Sequence, residues 1–240
     1  MSAGRGKRRG MLALCLCGTL LFAALGIWQV QRLAWKRDLI QKVESRIAAP
    51  PVAVPARGNW AELDAHEAEY RRVQVRGAFR HERETLVDAL TALGPGSWVL
   101  TPLDTADGTI LINRGFVPPA RRDARQRQAG QVPGEVTITG LLRPSEPGGR
   151  LLRPNRPAAE RWFSRDVAAI AAARGLPDVA PFFIDADAAS SVQDGPHGGM
   201  TVVRFRNAHL AYAVTWFALA ALCAAGLVVL NRPTAPRTVS

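Results

Sequence analysis

No cysteine falls between Cys17 and Cys223 of this 240-residue chain, and the third cysteine, Cys15, lies beside the first in an apolar run. The long central stretch therefore folds without disulfides, which its size permits. Lysine is scarce as well: of 31 basic residues, only Lys7, Lys36 and Lys42 are lysine, a bias read as genomic rather than functional. Charge is missing altogether from two long segments, MLALCLCGTLLFAALGIW at residues 11–28 and AHLAYAVTWFALAALCAAGLVVL at residues 208–230. Recognisable catalytic signatures are lacking too. The chain holds no H-E-x-x-H, G-x-S-x-G, P-loop or dinucleotide fingerprint, and no nucleophile–base set can be assembled. That argues against a membrane-tethered hydrolase, and against an enzyme generally. Tails this short leave no room for the output module of a membrane sensor.

What is present begins with those two apolar segments. Each has the length that crosses a ~30 Å hydrocarbon core at ~1.5 Å per residue. The sequence thus reads as a membrane protein with two transmembrane helices, N- and C-terminal, flanking a β-rich α+β extracytoplasmic domain. The expected division is a basic tail at 1–10, a first span at 11–28, the domain at 29–207, a second span at 208–230 and a tail at 231–240. Arg5, Lys7, Arg8 and Arg9 precede the first span with no acid, and Arg232 and Arg237 follow the second. Both tails are therefore expected in the cytoplasm, although Arg32, Lys36, Arg37, Arg204 and Arg206 flank the spans on the other side. A cleaved signal peptide is the alternative for the first segment. The apolar pattern Trp28, Leu33, Trp35, Leu39, Ile40 continues helically past it, which favours a retained anchor. The net charge of +11 comes largely from the tails, so a nucleic-acid partner gains little from it.

Residues 30–48 read as a helix ended by Ala49-Pro50-Pro51, and residues 50–59 as a linker. A short helix is expected at 60–69. Period-two alternation predicts strands at 73–79 and 136–142, with further strands at 85–89, 97–103, 109–117, 181–187 and 202–206. Gly94-Pro95-Gly96 and Asp107-Gly108 separate neighbours, the second as a hairpin signal. Residues 118–131 read as an exposed basic loop. An amphipathic helix fits 164–174, with Ser164 as N-cap and Gly175 after its end. A small barrel-like sheet with one or two helices follows.

Few residues carry chemistry. Cys15 and Cys17 point apart on a helix and read as small hydrophobes, not a metal pair. His66 and His81 lie on polar segments read as exposed, and His197 in a Gly-rich loop. His209 opens the second span, with Tyr212 and Trp216 at i+3 and i+7 on the same face, Trp216 ~10 Å deeper. Imidazole is a common axial ligand of haem iron, and aromatics beside it would pack a porphyrin. The same three residues also suit an ordinary interfacial aromatic belt. Small faces at Gly18, Ala23, Ala24 and Gly26, and at Ala220, Ala221, Ala224, Ala225 and Gly226, would let the two spans pack closely.

Four segments, in order, resemble the Surfeit locus protein 1 family: Gly26-Ile-Trp-Gln-Val-Gln-Arg-Leu-Ala-Trp-Lys36, Gly96-Ser-Trp-Val-Leu-Thr-Pro-Leu103, Ile112-Asn-Arg-Gly-Phe-Val-Pro118 and Asn207-Ala-His-Leu-Ala-Tyr-Ala-Val-Thr-Trp-Phe-Ala-Leu-Ala220. The resemblance implies an assembly factor for cytochrome c oxidase that assists insertion of haem a into the catalytic subunit. It implies transient haem a binding at His209, with Trp216 as the aromatic partner and no other metal; Tyr212, on the same helical face, is expected to pack the ring beside them. The implied partners are the oxidase catalytic subunit, the enzymes of haem a synthesis and the lipid bilayer. The implied location is the bacterial cytoplasmic (inner) membrane. Asn113, Arg114 and Gly115 are expected to contact a partner or a haem propionate, or to form a strand end with a turn glycine. A scaffold without haem contact is the alternative function.

Overall fold

The computed structural model describes residues 2–150, 152–201 and 208–232, with the side chains of 2–5 excepted. The strand expected at 202–206, along with Arg204, Arg206, Asn207 and Arg237, lies outside the described residues. The chain divides into two compact units, residues 1–42 with 204–240, and residues 43–203. Two helices, each long and apolar enough to cross a membrane, flank a β-rich domain in the sequence.

The first unit is an antiparallel helix pair. Helix α1 (Ser2–Ala48) is continuous through the first apolar run and beyond it, and α3 (His209–Asn231) holds the second. Small residues set their approach, as expected where helices meet closely. A Cβ on Gly18 would lie 3.0 Å from Cys223 Sγ, and one on Gly26 2.7 Å from the Phe217 ring. A Cβ on Gly226 would lie 3.2 Å from Cys15 Sγ. At the far end, Arg8 donates from Nε (2.9 Å) and Nη2 (2.6 Å) to the Leu230 carbonyl, one of the acceptors a helix C-terminus leaves without a partner. Cys15 faces α3 while Cys17 is exposed, as i and i+2 on a helix require.

The second unit is built on seven strands. They are β1 (Val52–Ala53), β2 (Arg72–Phe79), β3 (Thr85–Thr91), β4 (Gly94–Thr105), β5 (Gly108–Val117), β6 (Glu135–Pro144) and β7 (Val179–Ala186). Their order is β1-β2-β6-β7-β5-β4-β3, and β2 also pairs with β4 through Ala78 with Asp104 and Phe79 with Leu103. That extra pairing closes β2, β6, β7, β5 and β4 into a five-stranded ring. Strand β5 runs parallel to β7; the other pairs of the ring are antiparallel.

Alternation along β5 and β7 sorts side chains to two cores. Ile110, Ile112, Phe182 and Ile184 join Val73, Val75, Leu103, Ile138 and Leu142 inside the ring. Leu111 and Phe183, on the opposite faces, pack with Val87, Leu100, Trp162 and Ile170. Ile170 belongs to helix α2 (Val167–Arg174), which covers this outer face. Strand β5 is thereby covered on both sides and is buried from Thr109 to Val117.

Several expectations are corrected. Residues 60–69 form turns, not a helix, because Asp64 accepts hydrogen bonds from the His66 (2.8 Å) and Glu67 (3.2 Å) amides and ties the backbone locally. Gly94-Pro95-Gly96 lies inside β4, and the turn is Ala92-Leu93. The N-cap of α2 is Asp166, whose carboxylate accepts from the Ala169 amide at 3.1 Å. Ser164 is instead buried, its hydroxyl donating to the Glu146 carbonyl at 2.7 Å. The stretch 50–59 contains β1, parallel to β2. Residues 118–131 hold two short 3-10 segments, pinned by the buried Arg127, which forks onto Glu84 at 2.6 and 3.3 Å. Gly175, left-handed at φ 60°, ends α2 as expected.

Candidate functional site

In the helix pair, His209 and Trp216 both turn towards α1, along the seam where Ala213 and Ala220 are buried. His209 Nδ1 lies 2.8 Å from Oε1 of Gln29, a glutamine that is itself buried. With that oxygen as acceptor, Nδ1 carries the proton and Nε2 keeps its lone pair. Fixing one ring nitrogen by a hydrogen bond is how metal-ligating histidines are oriented and made more basic. About two turns deeper, Trp216 stacks on Phe22 with ring centroids 5.7 Å apart and planes 18° from parallel. Tyr212 does not join them; it is exposed. The seam thus offers one nitrogen ligand with a set tautomer beside a stacked aromatic pair. Sequence reasoning missed Gln29 and Phe22. The signal was a glutamine at the edge of an apolar run, but its meaning depended on a histidine 180 residues away. Among the described residues, no group of three or more His, Cys, Asp or Glu is placed to hold a metal ion.

In the domain, Asn113, Arg114 and Gly115 go separate ways. Asn113 is buried; its Nδ2 donates to Asp185 Oδ1 at 2.7 Å and its Oδ1 accepts from the Gly115 amide at 3.2 Å. Gly115 sits at φ 122°, and a Cβ there would collide with the His197 carbonyl, because Phe116 and His197 exchange backbone hydrogen bonds of 2.9 Å. Neither marks a strand end: both lie inside β5, where pairing with β4 shifts register between Trp98 and Leu100, so Gly115 is a bulge glycine rather than a turn glycine. Arg114, on the Ile112 face of β5, turns inward and is 8% exposed. Its guanidinium lies 4.9 Å from the Phe79 ring centre. Nη2 donates to the Gly130 carbonyl, and Nη1 lies 3.3 Å from His81 Nδ1. Because arginine only donates, His81 must accept at Nδ1 and donate from Nε2 to the Val132 carbonyl, 3.0 Å away. His81 is accordingly half-buried rather than exposed. Burial lowers its pKa, the Val132 hydrogen bond works against that, and the Arg114 charge lowers it again, for a net value below 6.5. Burial likewise brings Arg114 down to about 10.

A second buried polar group centres on Asp185, only 4% exposed. Its Oδ1 also accepts from Arg165 at 3.0 Å, and its Oδ2 accepts from Arg143 at 3.0 Å and Thr201 at 2.9 Å. Arg165 forks onto Glu146 as well, at 2.5 and 3.1 Å. Burial alone would raise the Glu146 carboxyl, but the Arg165 hydrogen bonds and charge hold it below the usual range. No motif flagged this group. The visible signal was a lone carboxylate inside the apolar strand Pro181-Phe-Phe-Ile-Asp185.

His66 and His197 are exposed, and His197 contributes beside Gly115 through its backbone. The seam combines an oriented histidine with a stacked tryptophan. The SURF1 family model matches residues 16–221, from within α1 through the domain and into α3. Surfeit locus protein 1 of Homo sapiens is 40% identical over 215 residues, covering 82% of this chain and 69% of the human one. The Rattus norvegicus protein is likewise 40% identical, over 82% of this chain and 68% of its own. The SURF1-like protein of Monosiga brevicollis is 36% identical, over 96% of this chain and 91% of its own. With a family match running from the first apolar helix into the second, and identities at this level over most of the length, this chain belongs to the SURF1 family.

Proposed function

We propose that this chain is a membrane-anchored assembly factor for haem-copper oxidases, chiefly cytochrome c oxidase, that holds haem a for insertion into the catalytic subunit. The observation that carries the reading is the Gln29–His209 contact of 2.8 Å, a buried amide that sets the tautomer of a histidine at the mouth of a helix pair. Haem a is apolar cargo and needs a carrier at membrane depth. In this reading His209 Nε2 ligates its iron, Gln29 keeps the imidazole aimed, and Trp216 with Phe22 packs the ring edge. Tyr212 and Trp28, both exposed, would line the lipid-facing side. The two helices span the bilayer, and the cationic N-terminal tail favours cytoplasmic tails and an extracytoplasmic domain. In a bacterium that membrane is the cytoplasmic one. The domain docks the oxidase catalytic subunit, and the haem a synthesis enzymes supply the cargo. This role is assembly, not catalysis.

A scaffold function without haem contact has one observation in its favour: Trp216 is already stacked on Phe22 and Ala213 is buried, so the seam is closed against a ring. Cells lacking their own copy and complemented with His209→Ala separate the two. Carriage predicts oxidase deficient in haem a at normal levels of membrane-inserted variant. Oxidase with full haem content would return the chain to scaffolding.

A further inference from the structure

The inner face of the ring is apolar along most of its length, but one end is open. There the side chains of Phe79, Ile112, Val136, Ile138 and Ala186, one or more from four of its strands, wall a cavity of about 300 Å³. That is the small end of the ~300–1,000 Å³ typical of ligand sites, and mouths of β-barrels are a common place for them. The single charged group in the lining is Arg114.

Arg114 has no ion-pair partner among the described residues, and Glu84 supports its charge only from a distance. Taking a guanidinium out of water costs several kcal/mol unless a counter-charge answers it. The neighbours of this one are all neutral: the Gly130 carbonyl, His81 Nδ1 and the Phe79 face. Glu84 is the nearest candidate, but both its oxygens are taken by Arg127. Among the described residues no ion pair reaches Arg114, whereas the other deeply buried arginines, Arg127, Arg143 and Arg165, each have at least one carboxylate. The hydrogen-bonded chain from Val132 through His81 also fixes where the guanidinium sits, so the site is built before any ligand arrives.

We propose that the mouth of the ring, with Arg114 at its wall, is a binding site for a carboxylate carried on an apolar body. The apolar body fills the space between Phe79, Ile112 and Val136, and the carboxylate supplies the missing partner of Arg114 in a charge-assisted fork. This narrows the expectation held for residues 113–115 to one residue and one chemistry. It stands on the domain alone and does not draw on His209.

The test uses the full chain in detergent and follows its thermal unfolding with three probes of equal chain length: hexanoate, hexanol and hexylamine. Hexanoate is expected to raise the midpoint saturably, hexanol about tenfold more weakly, and hexylamine not at all. Arg114→Gln should lose the hexanoate shift. Because that variant removes a buried charge and its fold may change, Ala189→Trp serves beside it; it fills the cavity with Arg114 in place and should lose the shift too. N-acetyl-leucine, run in competition, distinguishes the sources: displacement of hexanoate assigns the terminus of a partner chain, and failure to displace assigns a free aliphatic acid. Equal shifts from hexanoate and hexylamine, or a hexanoate shift that survives Ala189→Trp, would overturn the proposal. His209→Ala should leave every one of these readouts unchanged, which keeps failure here separate from failure of the haem reading.

Discussion

Replacing Asp185 by alanine is the most informative perturbation of the domain. Its carboxylate accepts four hydrogen bonds, two of them from the guanidinium groups of Arg143 and Arg165. Truncation removes all four and leaves two cations in a buried setting, their side chains 15% and 14% exposed. The two are not hurt equally. Arg165 keeps its fork to Glu146, at 2.5 and 3.1 Å. Arg143 keeps only Glu69, whose Oε1 lies 3.2 Å from Nε without hydrogen-bonding alignment, and the Tyr70 ring at 4.9 Å. Breaking a buried pair from one side costs ~3–5 kcal/mol, against a typical stability of ~5–15 kcal/mol. Asp185→Ala is therefore expected to lose about 3–5 kcal/mol. Guanidinium unfolding of the full chain in detergent, followed by tryptophan fluorescence, measures it through the midpoint. Asp185→Ala combined with Arg143→Met should cost clearly less than the two single losses added, because the second change removes the stranded cation. A loss below about 1 kcal/mol, or strict additivity, would refute the reasoning.

Other consequences are as direct. Gly226→Cys, in a Cys17→Ala and Cys223→Ala background, should oxidise to an intramolecular disulfide with Cys15, since its Cβ position lies 3.2 Å from Cys15 Sγ. Mass spectrometry reports it, and no bond under mild oxidant would contradict the helix register. Gly115→Ala should destabilise the domain by ~2 kcal/mol or more, from a φ of 122° and collision with the His197 carbonyl; the same unfolding assay checks it. Acidification should weaken the domain in two stages. His81 has a folded pKa below 6.5, so the unfolded state binds the extra proton; its contribution is complete above about 6.5 and is lost as pH falls through the folded value. Glu146 follows in the same sense from 4.5 downward. His81→Asn should remove the first stage and spare the second, read from unfolding midpoints across pH.

The strands were legible because alternation is a local signal. Val73, Val75 and Ile138 declare which face is inward without knowledge of any partner. Ring closure was only loosely legible, since it depends on the two pairs that join the end of β2 to β4. Glycine misled at Gly94 and Gly96. Gly96 lacks a side chain because the Val117 carbonyl and the Phe116 ring of β5 crowd it, not because the chain turns there. Ser164 looked like a cap, but Asp166 stands two residues closer to the helix, and the serine hydroxyl was needed at the Glu146 loop.

The site divides the same way. His209 stood out as a polar residue opening an apolar run, and Trp216 followed from helical spacing. Gln29 and Phe22 did not, because their role exists only once α1 and α3 are paired. Arg114 could be placed inside the ring by parity with Ile110 and Ile112. That it lacks a carboxylate is a three-dimensional fact, which required knowing that Glu84 answers Arg127.

Whether His209 holds haem is read from the colour of the purified protein. The chain, co-expressed with the enzymes of haem a synthesis and purified in detergent, is examined by visible absorption as wild type, Gln29→Leu and His209→Ala. A haem a spectrum is expected in the wild type, a weakened one in Gln29→Leu, where the imidazole loses its orienting partner, and none in His209→Ala. Absence of haem from the wild type, or an unchanged spectrum in His209→Ala, would contradict haem binding at His209.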